Sequence, residues 1–270
     1  MKTLLDKLHD KLGDLWSRCC SSRGNLVSYP HAQGIRNNAH DGSSPHDPCG
    51  LHPFSSARER ALSDCRRIRM LAQALAPQPG RDTDCSPQSA IQKLIAAAKS
   101  AGCFIDKMSR DALGELISKR TGESSVYFNA AESAYYKIKH PIAKAAIKCT
   151  SPQDWPFEHI IHNILFPDTT YEFLGVAEDC GEACFILKQA EVSTECFPTE
   201  DQVVAHLASL GLLPEEHYFF GNEVLSVTDV SAHGDNVLLG ENNKLYFIDP
   251  LIQLKRPAIE VIDWLVGDLP

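Results

Sequence analysis

Near the C-terminal end of the chain, Asn236 and Asp249 bracket the run NVLLGENNKLYFID. Asn236 opens an apolar strand, GENN supplies a turn, and Asp249 closes the returning strand. A hairpin of this kind brings an amide and a carboxylate to one end. Hard oxygen donors of that sort suit Mg2+, which keeps waters and phosphate oxygens as its other ligands. Just upstream, Asp229 in LSVTDVSAHGDN is a carboxylate that can accept the proton of an attacking hydroxyl. Lys137, in YYKIK, is a cation that can contact phosphate. Lys139 lies two positions on, on the same face of a strand, and is an equal candidate. Glu158, at the start of EHIIHNIL, can hold such a lysine through an ion pair. A pair of metal ligands, a base, a phosphate-binding cation and its acidic partner are the parts that phosphoryl transfer needs. Each residue also has an ordinary reading. Asp249 and Asn236 suit turns, the lysines suit a solvated strand edge, and Glu158 complements a helix dipole. Their order along the chain is what favours the chemical reading.

The elements that must position these residues can be read from apolar spacing. Residues 57–75 (ARERALSDCRRIRMLAQAL) predict a helix, stopped by PQPG at 77–80. A second begins at Ser86-Pro87, with Ile91, Leu94, Ile95 and Ala98 on one face and Gly102 as its end. A third short helix is expected from Ser109 through Leu113, Leu116 and Ile117. The texture then changes to strands. SVYFNA and AESAYYKIK predict a hairpin turning around Asn129 to Glu132, and EHIIHNIL a helix. TYEFLGVAE and ACFILKQAEV predict two more strands, and Thr199 with Gln202 a capping box for a helix ending at Gly211. EVLSVTDV and KLYFIDP predict two short strands around GENN. Such a mixture of antiparallel strands and helices is an α+β pattern.

At these positions the chain resembles the protein-kinase superfamily. That family's set is a Gly-rich loop, a strand lysine, a helix glutamate, a catalytic-loop Asp and Asn, and a metal-binding Asp. The counterparts here, in the same order, are GESSVYF, YYKIK, Glu158, TDVSAHGDN and IDP. More narrowly, GESSVYF, HNILFPDTTY and DVSAHGDNVLL with FIDP resemble the kinase-like domain of polyvalent proteins of phages and conjugative elements. The resemblance covers roughly residues 88 to 255. It implies a compact two-lobed kinase-like fold over 86–270 and an ATP- and Mg2+-dependent phosphotransferase acting on a Ser, Thr or Tyr hydroxyl of a protein. It implies nucleotide contacts from Gly122, Val126, Lys137, Gln189, Asn236 and Asp249, with Gln189 near the hinge. Lys137, Glu158 and Asp229 are the implied catalytic set, and Asn236 and Asp249 the implied metal ligands.

The departures from that pattern are specific. Only Gly122 remains of the Gly-rich loop. Asp229 stands seven residues before Asn236, where the family has five, and Ser231 occupies the five-residue spacing. Asp235, in an HGD run similar to that of aminoglycoside phosphotransferases, is a rival base; that alignment needs Asn at 240, and Gly240 is there. Few residues follow IDP, so a reduced C-terminal lobe is expected. These departures keep two other functions open: a pseudokinase that binds nucleotide or protein without turnover, and a transferase acting on a small molecule or moving the nucleotide.

The 270 residues carry a net charge of -9, which disfavours non-specific binding to nucleic acid or to an acidic membrane. No run approaches the ~20 apolar residues that span a bilayer, and MKTLLDKLHDKLGDLW lacks a secretory apolar core. A cytoplasmic protein whose ten cysteines are mostly free thiols is therefore expected. Cys180, Cys184 and Cys196 read as buried or half-buried. Residues 3–18 predict an amphipathic helix, and 19–56 a flexible linker rich in Ser, Gly, Pro and His. Cys49-x2-His52 in that linker is half of a zinc pattern with no second half.

Overall fold

The structure, a computed structural model, describes residues 57–76, 86–118, 124–141, 151–194, 196–234, 236–240 and 243–268. The predicted helix over 3–18, the linker 19–56, Gly122 and Asp235 lie outside the described residues. Among the described residues no helix is long and apolar enough to cross a membrane.

Helix α1 (Ala57–Leu75) buries Ile68, Leu71, Ala72 and Leu75 along one stripe. Helix α2 (Pro87–Ser100) starts where expected: Ser86 Oγ accepts from Ser89 N at 3.2 Å, and Ile91, Leu94 and Ala98 are buried. Both helices join the main core. The third helix, α3 (Arg110–Leu113), is shorter than the sequence suggests. Gly114 ends it at φ +105°, with its backbone so close to the next hairpin that a Cβ would sit 2.1 Å from the Phe128 carbonyl oxygen. Leu116 and Ile117, assigned to that helix from spacing, lie instead on an edge strand and are exposed. Pairing with Phe128 and its neighbours outweighs the helical pattern there.

A six-stranded sheet follows, built from β1 (Phe104–Ile105), β2 (Glu115–Ser118), β3 (Ser124–Asn129), β4 (Ala134–Lys139), β5 (Tyr171–Asp179) and β6 (Glu182–Ala190). Its order is β1-β5-β6-β4-β3-β2, and every pair is antiparallel except β1 with β5. The predicted hairpin is β3–β4, closed at Asn129 opposite Ala134, with Asn129 Oδ1 accepting from Ala131 N at 3.1 Å. Side chains alternate across the sheet. Ala183, Phe185 and Leu187 enter the main core, while Cys184 and Ile186 join Tyr136 and Ile138 in a smaller core on the other face. Lys137 and Lys139 thereby stand on the main-core face, where helix α4 (Glu158–Leu165) packs.

A 3-10 turn, Pro152–Phe157, leads into α4. Its Asp154 is buried and accepts from Ser151 N, Ser151 Oγ and Ala258 N, which ties the start of helix α6 (Ala258–Asp268) to this turn. Helix α5 (Glu200–Ser209) carries the Thr199/Gln202 capping box. The remaining strands are β7 (Leu213–Pro214), β8 (Phe220–Gly221), β9 (Leu225–Thr228), β10 (Val237–Leu239), β11 (Leu245–Phe247) and β12 (Leu251–Leu254). LSVT and KLYF, predicted as neighbours around GENN, take other partners. LSVT pairs with LIQL in the four-stranded sheet β12-β9-β8-β7, and KLYF pairs with the VLL strand. Alternating burial in LIQL, with Ile252 and Leu254 inward, matches the buried run of β9. Cys184 is buried as expected, but Cys180 and Cys196 are exposed; with Cys103 they are free thiols.

Candidate functional site

Strand β4 delivers Lys137 into a nearly dry position: the residue is 4% exposed. Its Nζ lies 3.3 Å from Asp249 Oδ1 and donates to the Tyr171 hydroxyl at 2.9 Å and to the Ile248 carbonyl at 3.2 Å. Val126, on β3, stands directly across from Lys137 in the hairpin register. Burial alone would raise the Asp249 pKa. The charges of Lys137 and Lys139, with hydrogen bonds from Tyr171 and Lys137, outweigh it and hold the carboxyl well below the usual carboxylate range. Asp249 is therefore an anion at neutral pH, and its side chain keeps 29% exposure at the mouth of the site. Glu158, expected beside Lys137, makes an ion pair with Lys139 at 3.7 Å, and the ammonium bound to Asp249 is that of Lys137. The two lysines share a face because they are two residues apart on one strand, so the helix and the hairpin can each engage one of them.

The β10–β11 hairpin is the one expected from NVLLGENNKLYFID. Val237 pairs with Phe247, and one step outward Ile248 N donates to Asn236 O at 2.8 Å. Asn236 and Asp249 thus sit at the same end. The peptide carbonyls before Asp249 are held by side chains from five other elements: the 3-10 turn Pro167–Thr169, α4, β4, β5 and β6. Thr169 Oγ1 donates to Phe247 O at 2.6 Å, and His162 Nε2 lies 3.3 Å from the same oxygen. Ile248 O receives Lys137, the Tyr171 hydroxyl at 2.7 Å and Gln189 Nε2 at 3.1 Å. Asn163 reads the backbone of Tyr171 at both ends, accepting from its N at 2.7 Å and donating to its O at 2.8 Å. HNILFPDTTY is therefore the block that grips FID. His162 itself is kept neutral: burial, reinforced by the Lys137 charge, pushes its pKa down to about 3.

Asp229 ends strand β9 in a left-handed conformation, φ +62°, which is uncommon for a residue with a side chain. Asn236 Nδ2 donates to Asp229 Oδ2 at 2.8 Å. The loop with two extra residues therefore still brings the two together. Val230 and Ala232 anchor it in the core, and a turn from Ser231 to Gly234 (3.1 Å) takes up the length. Because Asn236 uses its amide N–H on Asp229, its amide oxygen is left as an acceptor. Asp229 opens onto a cavity of about 720 Å³ that Glu200, Tyr218, Phe220, Thr228 and His233 also line.

The structure brings together Lys137, Asn236, Asp229 and Asp249, with Val126 across the strand and Glu158 on the neighbouring lysine. Gln189, expected near the hinge, is 1% exposed inside β6. Its Nε2 donates to Thr169 O at 2.6 Å as well as to Ile248 O, while its buried Oε1 has no hydrogen-bond partner among the described residues. Among the described residues no cluster of three or more His, Cys, Asp or Glu is gathered as for a protein-caged metal. One carboxylate and one amide oxygen suit a cation that draws its other ligands from water and phosphate. Tyr171, Thr169, Asn163 and His162 were not foreseen as parts of the site. The signal available was the match of HNILFPDTTY as a block with polar residues inside an otherwise apolar run.

Residues 88–256 match the family described as Serine/Threonine/Tyrosine Kinase found in polyvalent proteins. No curated protein and no solved structure matches the chain.

Proposed function

The chain belongs to the family of serine/threonine/tyrosine kinases found in polyvalent proteins, and on that premise we propose that it transfers the γ-phosphoryl group of Mg-ATP to a Ser, Thr or Tyr hydroxyl of a protein. The observation that supports this reading best is the 2.8 Å hydrogen bond between Asn236 and Asp229, at the hairpin end that also carries Asp249 and its lysine. In this reading the kinase-like domain spans 86–270 with α1 packed on it. The six-stranded sheet with α4 forms the nucleotide-facing lobe, and the four-stranded sheet with α5 and α6 the second lobe.

Lys137 and the β3 strand at Val126 receive the nucleotide phosphates, and Glu158 fixes the adjacent cation Lys139. Asn236 and Asp249 would hold Mg2+, which would supply charge neutralisation for the nucleotide phosphates. Asp229 takes the proton of the acceptor hydroxyl as that oxygen attacks the γ-phosphorus and the bond from that phosphorus to the bridging oxygen breaks, so that ADP leaves. Asn236 orients the Asp229 carboxylate from the side. Catalysis is then mostly positioning and charge stabilisation. The cavity beside Asp229 is where the acceptor side chain would enter.

A second reading, a pseudokinase that serves as an interaction module, has one observation in its favour. Lys137 and Asp249 neutralise each other at 3.3 Å, so a nucleotide must share or part that pair. The two readings separate on Asp229→Asn. With a mixed Ser/Thr/Tyr peptide library as acceptor, the kinase loses ADP release by about 10²-fold or more, while Mg-ATP affinity by calorimetry stays within about threefold. Equal ADP release by the variant and the parent would overturn the assignment of the base.

A further inference from the structure

Tyr171 opens β5 and is 2% exposed, yet its hydroxyl lies at the centre of the charged part of the site. It accepts from Lys137 Nζ at 2.9 Å and lies 2.7 Å from Ile248 O and 3.0 Å from Asp249 Oδ1. A phenol has one proton to give, so the two acceptors share it. The ring cannot swing away. Asn163 holds its backbone from both sides, His162 packs on it at 4.4 Å, and Lys137 Nζ sits 4.9 Å from its centroid. Lys137 and Asp249 stand 3.3 Å apart, longer than the roughly 2.7–2.9 Å of an unshared charge-assisted pair. The hydroxyl takes one ammonium proton and one face of the carboxylate, and in doing so keeps the two charges from closing fully on each other.

We propose that Tyr171 is a positioning residue of the nucleotide site: its hydroxyl sets the spacing and direction of the Lys137 ammonium and the Asp249 carboxylate, so that phosphate and metal meet two charges already held apart. This rests on the phosphotransfer reading above. No covalent step is assigned to Tyr171, and its ring and hydroxyl act only through its two neighbours. Without the hydroxyl, the lysine and the carboxylate close into a tighter pair that Mg-ATP must break.

The test is Tyr171→Phe, which keeps the ring, in a double-mutant cycle with Lys137→Met, reading Mg-ATP dissociation constants by calorimetry and folding by thermal melts. The expected result is about tenfold weaker binding from Tyr171→Phe in the parent chain, and at most about twofold in the Lys137→Met background. A lowered melting temperature with unchanged Mg-ATP affinity, or equal effects in both backgrounds, would overturn the positioning role. A 3-fluorotyrosine at position 171 gives a reading that leaves the hydroxyl in place. Its 19F resonance shifts on saturation with Mg-ATP as phosphate and metal engage the two charges that the hydroxyl holds, and an unmoved resonance overturns the proposal. Parent protein that binds no Mg-ATP removes the phosphotransfer reading and this proposal together. Binding that is equally tight in both chains removes the role of Tyr171 alone.

Discussion

Removing the Asp249 carboxylate should destabilise the fold more than removing the lysine that faces it. The side chain of Lys137 is 5% exposed and that of Asp249 29%. Asp249→Asn strands an ammonium in a dry site, where breaking a buried pair costs about 3–5 kcal/mol. Tyr171 and the Ile248 carbonyl still bind that ammonium, so the low end, about 3 kcal/mol, applies. Lys137→Met leaves a carboxylate that keeps Tyr171 and reaches water, at about 1–2 kcal/mol. The double variant leaves neither charge stranded, so its loss should fall about 2 kcal/mol short of the sum. For a domain of this size, 3 kcal/mol is about 6–12 °C in melting temperature. Urea unfolding without nucleotide at pH 7, followed by the fluorescence of the buried Trp155, measures all three. Additive losses, or a Lys137→Met loss as large as that of Asp249→Asn, would refute the reasoning. The pH sign follows from the depressed Asp249 pKa. Its contribution is whole above the unfolded carboxylate value near about 3.9 and is lost only as pH falls through the lower folded value. The pair is therefore intact across neutral and mildly acidic pH.

Other groups set the stability trend in that range. Burial, with a smaller push from the nearby lysines, lowers the pKa of both His159 and His162 to about 3. The unfolded chain thus binds more protons below about pH 6.5, and the free energy of unfolding in urea should fall steadily from pH 7 to pH 5, by up to about 2 kcal/mol per histidine. His159→Leu, which removes a ring nitrogen buried without a partner, should roughly halve that slope and change stability little at pH 7.5; an unchanged slope contradicts this. Asp154→Ala leaves Ser151 and the Ala258 amide without their acceptor and should lower unfolding stability by about 3 kcal/mol in the same assay, while a loss under about 1 kcal/mol would deny its tie to α6. Gly114→Ala places a methyl 2.1 Å from Phe128 O at a left-handed φ and should destabilise by about 2 kcal/mol or more, whereas Gly181→Ala, with open space around its Cβ position, should be milder.

The elements with strong periodicity were readable from the chain alone. Helices α1, α2 and α4, the Thr199 box and the β3–β4 hairpin fall where their apolar spacing and caps put them. The Asn236–Asp249 hairpin was readable too, because a turn between two apolar runs is a local signal. What failed locally was decided by distant backbone. The end of α3 is set by Gly114 lying against Phe128 O, and the partner of LSVT is a strand that comes after the Asn236–Asp249 hairpin. Spacing also could not foresee that a seven-residue separation still lets Asn236 reach Asp229, since that depends on Val230 and Ala232 seating in the core. Nor could it show that Tyr171, Thr169 and Gln189 hold the FID carbonyls, with Asn163 holding the backbone of Tyr171. Polar contacts between remote elements leave no period in either chain segment. Gln189 illustrates the same limit: its place in FILKQAEV does not show that it is buried on two carbonyls.

The most direct test of phosphoryl transfer is to incubate the protein with Mg2+ and ATP labelled at the γ-phosphate, beside ATP labelled at the α-phosphate, and to follow label on protein. The account predicts covalent label from the γ-position only, with none on Asp229→Asn. Label from the α-position would show transfer of the nucleotide itself. No label from either, in protein shown to be folded and supplied with the peptide library, would contradict the phosphotransferase and leave the pseudokinase.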